Sequence, residues 1–270
     1  MTTTVDQKNI AFWNELCGTG LAMQLGITDS EPANLKKFDD WYFDIYPYLI
    51  THVPFETVKG LDVLEIGLGY GTVAQRLMER GARYHGLDVA DGPVAMARHR
   101  ADLVGRSADI RQGSALAIPY GHNTFDGVVT IGCLHHTGNL ALALTEVHRV
   151  LKPGGWATAM LYSALSYRHW MKAPLATFGR WRKPQFDWAN AEPGIRKRYD
   201  ANLAGEEAPS TTFISVSESK LFLSGYFSSV KVTPRNIGKD FPPAFFMSRP
   251  LANRCFEKLL GLDLYIECTK

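Results

Sequence analysis

The sequence predicts one doubly wound α/β domain with a mostly parallel sheet. Three observations carry that expectation. Strand-like and helix-like stretches alternate between residues 60 and 160, and a glycine-rich turn follows the first strand directly. The chain has 270 residues, of which 46% are hydrophobic, enough for one large core without forcing a second domain. Parallel strands joined through helices need crossover connections, which put helices on both faces of the sheet. Ligands in such sheets lie beyond the carboxyl ends of the strands, so the loops after the strands are where chemistry is expected.

Each element follows from its residues. LDVLEI (61–66) is apolar and β-branched and breaks at GLGYG. TVAQRLMERG (72–81) spaces Val73, Leu77 and Met78 along one helical face and stops at Gly81. YHGLDV (84–89) is a second strand, and PVAMARHRADLV (93–104) opens a helix on a first-turn proline. ADIRQG (108–113) is a short third strand, FDGVVTIGCL (125–134) a buried fourth and LALALTEVHRVL (140–151) an amphipathic helix. KPGG reads as a turn before a fifth strand, WATAMLY (156–162). Towards the end come a helix at 217–226, the strand FSSVKVTP, a helix at 252–261 and a last strand, LDLYIEC.

The flanks break the alternation. Residues 8–52 are aromatic-rich and read as helical, with Phe38, Trp41, Tyr42 and Ile45 at helical spacing, a pattern that favours core packing over a binding box. Residues 163–215 read as an insertion with loops, carrying Trp170, Trp181 and Trp188 beside Arg180, Arg182, Lys183, Arg196, Lys197 and Arg198. Aromatics suit a ring-bearing or apolar ligand and the cations suit a carboxylate or phosphate on it, although such a run is more often a solvated face. The expected organisation is an N-terminal helical lid over 1–58, a core over 59–162, the insertion over 163–215, and the rest of the same sheet over 216–270.

Composition narrows the function. Basic and acidic residues nearly balance, 29 against 27, which disfavours a nucleic-acid partner. Cys17, Cys133, Cys255 and Cys268 are far apart and suggest neither a zinc site nor a disulfide framework. No stretch approaches the ~18 apolar residues of a membrane span, and the polar start resembles no secretion signal. The expectation is a cytoplasmic protein with no membrane partner.

The central constellation is Glu65-Ile66-Gly67-Leu68-Gly69-Tyr70-Gly71-Thr72. Its spacing is GxGxG, whereas the dinucleotide pattern GxGxxG would put its third glycine where Thr72 stands. Glu65 precedes the first glycine by two residues, a place that suits a cationic ammonium and fits a pyrophosphate poorly. Asp88 ends the second strand, about 20 residues past the loop, where an acid can accept both hydroxyls of a ribose.

VLEIGLGYGT, GLDV, FDGVVTIGCLHHT and EVHRVLKPGG resemble, in order and spacing, the class I methyltransferases that use S-adenosylmethionine (SAM). The resemblance covers about residues 60–162. It implies a Rossmann-like seven-stranded sheet in the order 3-2-1-4-5-7-6 with the last strand antiparallel. It also implies that Gly67, Gly69, Gly71 and Thr72 border the methionine part of SAM. Glu65 then sits near the amino group, Asp88 holds the ribose, and Val89 packs on the adenine. Gly113, Ser114, Ala115 and Gly132 complete that site. Many relatives read GDA where this chain reads Gly113-Ser114-Ala115, so the adenine pocket is expected to select with a shorter, neutral group.

Transfer from SAM needs an aligned nucleophile and, for a hydroxyl acceptor, a base. His136, His135 and Tyr162 are the candidate catalytic residues, with His169 as a further pocket candidate; His136 otherwise only fixes its loop. The run IGCL replaces the (D/N)PP(Y/F) signature of base N-methyltransferases, Cys133 lacks the preceding proline of a cytosine C5 nucleophile, and no acidic cluster suggests a metal. WNELCGTG resembles the N-terminal lid of some small-molecule methyltransferases, with Trp13, Cys17 and Gly18 as closing residues. The expectation is O-methylation of a small aromatic, carboxylate- or phosphate-bearing molecule, with oligomeric state open. The alternatives are a SAM-binding protein running another reaction or a regulator, an RNA or protein methyltransferase, and a nicotinamide oxidoreductase.

Overall fold

The computed structural model describes residues 4–15, 21–186, 188–242 and 246–270. Seven strands form one sheet: β1 (Asp62–Ile66), β2 (Arg83–Asp88), β3 (Asp109–Gln112), β4 (Phe125–Ile131), β5 (Leu151–Tyr162), β6 (Ser229–Arg235) and β7 (Asp263–Thr269). Their order is β3-β2-β1-β4-β5-β7-β6, and β7 runs antiparallel to both neighbours, as the resemblance implies.

Side chains alternate across each strand, so β1 sends Leu64 and Ile66 to one core and Val63 to the other. One face is covered by α5 (Thr72–Glu79) and α6 (Asp91–Leu103), through residues such as Val73, Leu77, Val94 and Ala97. The opposite face is covered by α7 (Leu140–Val150) and α11 (Val216–Leu223), through Leu140, Leu144, Val147 and Leu223.

Two local expectations change. Lys152-Pro153-Gly154-Gly155 does not separate two elements but lies inside β5, where the pairing with β4 slips between Phe125 and Gly127. Gly154 at φ +75 takes up that irregularity. The fourth strand ends at Ile131, and Leu134–His136 form a 3-10 turn.

The N-terminal flank is helical: α1 (Thr4–Glu15), α2 (Leu21–Gln24), α3 (Pro32–Ile45) and α4 (Leu49–His52). It is tied to the core by a buried ion pair. Arg100 of α6 is fully buried and meets Asp39 of α3 through both terminal nitrogens, at 2.8 Å each. Gln75 accepts a further bond from Arg100 at 2.7 Å, and Thr72 donates to Asp39 at 2.6 Å. A guanidinium out of water is tolerated only when its donors are used in this way. The insertion folds as α8 (Tyr167–Lys172), α9 (Pro174–Arg182) and α10 (Pro193–Arg196), and α12 (Arg249–Leu260) packs on the β6 edge.

Candidate functional site

Beyond the carboxyl ends of β1, β2 and β4 lies a cavity of about 420 Å³. The glycine loop forms its floor, and two of its glycines show why the spacing is strict. A Cβ on Gly67 would collide with the Cys133 side chain after β4, so the loop sits flush on its neighbour strand. Gly69, at φ +51, has nothing within 4 Å of where its Cβ would be, and it lines the cavity. Gly71 lies behind the loop, where a Cβ would meet Arg100, and it does not line the cavity.

Two carboxylates flank the loop. Asp88 accepts from the backbone N–H of Leu68 at 2.7 Å and of Ala90 at 2.9 Å, one bond on each oxygen. Burial nevertheless pushes its carboxyl up to about 6, against those bonds. Glu65 is buried at 3% exposure and accepts one bond, from the Tyr84 hydroxyl at 2.7 Å. Burial pushes its carboxyl up to about 8; the Tyr84 bond opposes this and the charge of Asp88 adds to it. Desolvation therefore wins over the Tyr84 hydrogen bond and the charge of Arg100, both of which pull the other way.

Val89, Gly113, Ser114, Ala115 and Gly132 all line the same cavity, as does Thr72. The Ser114 hydroxyl accepts from the backbone N–H of Leu116 at 3.2 Å.

The opposite wall is built from rings. His136 Nδ1 lies 2.7 Å from the Ser210 carbonyl oxygen, which can only accept, so Nδ1 carries the proton and Nε2 presents a lone pair in the neutral ring. Burial lowers the His136 pKa, partly offset by Asp200, so the neutral form is favoured. Nε2 faces Asp200 Oδ2 at 3.6 Å, and the Tyr162 hydroxyl donates to Asp200 Oδ1 at 3.1 Å. Asp200 is raised above the usual carboxylate range by burial, with His136 pulling the other way.

His136, Tyr162 and Asp200 line the cavity; His135 does not. His135 is fully buried, with its ring 4.1 Å from those of His136 and Tyr162, and burial drives its pKa well down. His169 stands off the cavity too, and burial brings it down to about 4.

The flanks contribute unequally. Asp6, Asn9 and Trp13 of α1 line the cavity at helical spacing. Asn9 donates to the His136 carbonyl at 2.8 Å, and the Trp13 ring lies 4.7 Å from the His136 ring. Cys17 and Gly18, the other expected closing residues, lie outside the described residues. Phe38, Trp41 and Tyr42 pack together as expected, and with Tyr46 they also line the cavity, so core packing is half of their role. The tryptophans and cations of the insertion are not where a ligand pocket needs them. Among the described residues that line the cavity none is Lys or Arg, and Trp170, Trp181 and Trp188 are not among them. The insertion instead supplies Tyr199, Asp200 and Ala201.

Sequence reasoning missed Asp200, which stands in the run RKRYD and reads there as part of a solvated charged segment. It also missed Asp6 and Asn9, although their spacing to Trp13 along one helix was a usable signal.

Comparison with known proteins agrees with this geometry. Residues 64–159 match the family model described as a methyltransferase domain. The 2-phytyl-1,4-naphtoquinone methyltransferase of Thermosynechococcus vestitus is 33% identical over 150 residues, 54% of this chain and 64% of that protein. The fatty-acid O-methyltransferase of Mycolicibacterium smegmatis is 37% identical over 134 residues, 49% of this chain and 46% of that one. The matches thus span from under half to just under two thirds of these relatives. The crystal structure of the [4+2]-cyclase SpnF superposes with a TM-score of 0.56 over 99% of this chain and 97% of that one, at 14% identity, a likeness of fold alone. With the strand order and the glycine loop, the match makes residues 64–159 similar to the methyltransferase domain of the class I SAM-dependent enzymes.

Proposed function

We propose that this chain transfers the methyl group of SAM to a hydroxyl oxygen of a small apolar or aromatic molecule. One observation carries the reading: an acidic, glycine-floored end and a His136–Asp200–Tyr162 end open into one cavity.

The residues fit SAM. Glu65 is a buried carboxyl that enters no salt bridge among the described residues, and the ammonium of SAM would favour its charged form. Each oxygen of Asp88 keeps acceptor capacity beyond its backbone bond, which suits two ribose hydroxyls. Gly69 leaves open space above the loop for the methionine part. The lack of Lys or Arg in the described lining fits a cationic ligand and disfavours the pyrophosphate of a nicotinamide cofactor. SAM supplies an activated methyl group, so the protein's tasks are alignment and proton removal.

His136 is the proposed base. Its Nε2 lone pair takes the acceptor's hydroxyl proton, and the imidazolium so formed faces the Asp200 carboxylate. Tyr162 holds Asp200 from the other side. His135, buried and without hydrogen bonds from its ring nitrogens, is a packing support behind them. The aromatic lining from Trp13, Trp41, Tyr42 and Tyr199 suits a ring or apolar chain on the acceptor, consistent with the lipophilic substrates in the relatives' names. A carboxylate- or phosphate-bearing acceptor loses its basis, because the basic runs lie away from the cavity.

Calorimetric titration with SAM, its demethylated product and NADH, followed by incubation of lipophilic phenols and long-chain alcohols with SAM, tests this. Expected are binding of SAM and product, none of NADH, and a mass gain of one methyl group on a hydroxyl-bearing acceptor. Binding of NADH would overturn the cofactor assignment. SAM binding with no methyl uptake would favour a protein that holds SAM for another reaction.

A further inference from the structure

We propose that the outward face of α8 and α9 docks on the surface of an anionic lipid bilayer. The first observation is that α9 is turned inside out. Two of its polar residues, Thr177 and Arg180, point inward: Thr177 is buried and donates to the Ala173 carbonyl at 2.8 Å. Arg180 reaches the fully buried Glu218 through two bonds, at 2.9 and 2.8 Å. Its apolar residues point to solvent. Leu175 is 87% exposed, Trp181 58% and Phe178 45%, and Met171 at the end of α8 is 58% exposed. Leu175, Phe178 and Arg182 recur at three- and four-residue intervals within α9, which puts them on one stripe of that helix. A water-facing helix normally shows the reverse pattern.

The second observation is charge. Residues 167–186 contain five Lys or Arg and no Asp or Glu. Two of the five are spent on the fold, Arg168 on Asp240 and Arg180 on Glu218. Lys172, Arg182 and Lys183 are exposed and enter no salt bridge among the described residues. They flank the apolar stripe, and the first acid that follows them in the sequence is Asp187.

Protruding apolar side chains ringed by unpaired cations match a headgroup layer: the apolar groups enter the acyl boundary while the cations meet lipid phosphates. A second copy of this chain would set the same cations against each other, which disfavours self-association through this face. The cavity that Arg168, Lys172 and Tyr199 line beside α8 holds only about 10 Å³, too little for an anchoring side chain of a protein partner. Among the described residues no helix is long and apolar enough to cross a membrane, and docking on one leaflet requires none. The position has a functional sense. The Arg168 guanidinium of α8 lies over the ring of Tyr199, at 4.7 Å, and Tyr199 lines the cavity, so a bilayer on this face would lie one layer of side chains from the acceptor wall.

The test is flotation of the full chain with vesicles of pure phosphatidylcholine and with vesicles of equal parts phosphatidylcholine and phosphatidylglycerol, at low and high salt. The expected result is roughly tenfold more protein on the anionic vesicles at low salt, falling as salt rises. A Leu175→Glu/Phe178→Glu/Trp181→Glu variant should lose flotation. A Lys172→Glu/Arg182→Glu/Lys183→Glu variant should lose the preference for anionic lipid. All six residues are exposed, and an unchanged melting curve checks that the fold survives. No flotation of the unaltered chain, or equal flotation of the first variant, overturns the proposal. A concentration-dependent dimer that the first variant abolishes without vesicles overturns it in favour of a second copy. None of these outcomes depends on SAM binding or methyl transfer.

Discussion

The two ends of the cavity are made of different materials. At the glycine loop, positions are set by backbone: Asp88 is pinned by two main-chain N–H groups, and Gly67 lies against Cys133 too closely for any side chain. At the opposite wall, positions are set by side chains from α1, the turn after β4, the end of β5 and the insertion, meeting as rings and the carboxyls of Asp6 and Asp200. A backbone-built end is rigid and tolerates almost no substitution. A wall of side chains can be rebuilt without disturbing the strands beneath it, which is how one fold takes many acceptors. Binding of SAM and chemistry on the acceptor should therefore be separable by mutation.

The largest effects test that separation directly. Asp88→Ala removes the proposed ribose contacts and leaves the N–H groups of Leu68 and Ala90 without their acceptor. SAM affinity should fall by ~100-fold or more in a calorimetric titration, the sum of a lost ligand contact and a loosened loop. His136→Ala should do the opposite, lowering kcat by about 10²–10⁴-fold while leaving SAM affinity within a few-fold. A comparable loss of SAM affinity in both variants would mean that the two ends act as one.

Asp200→Asn sharpens the chemical half. Asp200 holds the His136 pKa up, so its neutralisation should move the acidic limb of the pH–rate profile to lower pH. The maximal rate should fall by roughly tenfold, because the imidazolium loses its counter-charge. A loss of rate with no movement of the limb would reduce Asp200 to a packing residue.

Glu65 connects site to stability. Its folded pKa, about 8, lies above the ordinary 4.5. The proton is thus held more tightly in the folded state, and the stabilisation it brings is complete below about pH 4.5 and lost as pH rises through about 8. Asp88 at about 6 and Asp263 at about 7 add to the same trend. This carboxyl contribution lowers the melting temperature of the ligand-free protein from pH 5 to pH 8, against the buried His135, His136 and His169, whose lowered pKa values work the other way. Glu65→Gln should flatten part of that slope, worth on the order of a few kcal/mol, and weaken SAM binding at the same time. An unchanged slope would mean that water reaches Glu65 and relieves its burial.

How much of this was legible in the sequence follows from the same contrast. The glycine loop, Glu65 and Asp88 sit in fixed spacing on consecutive elements, so local pattern was enough to name them, and the strand order came with the family resemblance. Asp200 is 64 positions from His136 along the chain, and only the packing of the insertion against the turn after β4 brings them together. Arg100 is similar: a helical arginine reads as solvated, and only Asp39 on a distant helix explains its full burial. The aromatic, basic composition of α9 was visible, but not that its apolar side faces out, since that depends on the buried Glu218 that Arg180 must reach. The KPGG turn was misread as a break because a bulged strand and a tight turn use the same glycines.

The smallest expected effect concerns Ser114, where this chain departs from the GDA pattern. The Ser114 hydroxyl lines the cavity but also accepts from the Leu116 N–H, so only part of its capacity is left for a ligand. An aspartate at this position can keep that backbone bond with one oxygen and offer the other to an exocyclic amine. Ser114→Asp should therefore leave SAM affinity unchanged or raise it by up to about tenfold, the range of one added charge-assisted bond less its desolvation. The counter-force is electrostatic: Asp88 and Glu65 already crowd negative charge into the cavity and have raised pKa values. Titrating the variant with SAM and with the neutral nucleoside adenosine separates the two effects. A gain for both ligands means that the adenine amine is being read. A loss for adenosine with a gain for SAM means that the new carboxylate acts only through charge, and that the adenine lies elsewhere in the cavity.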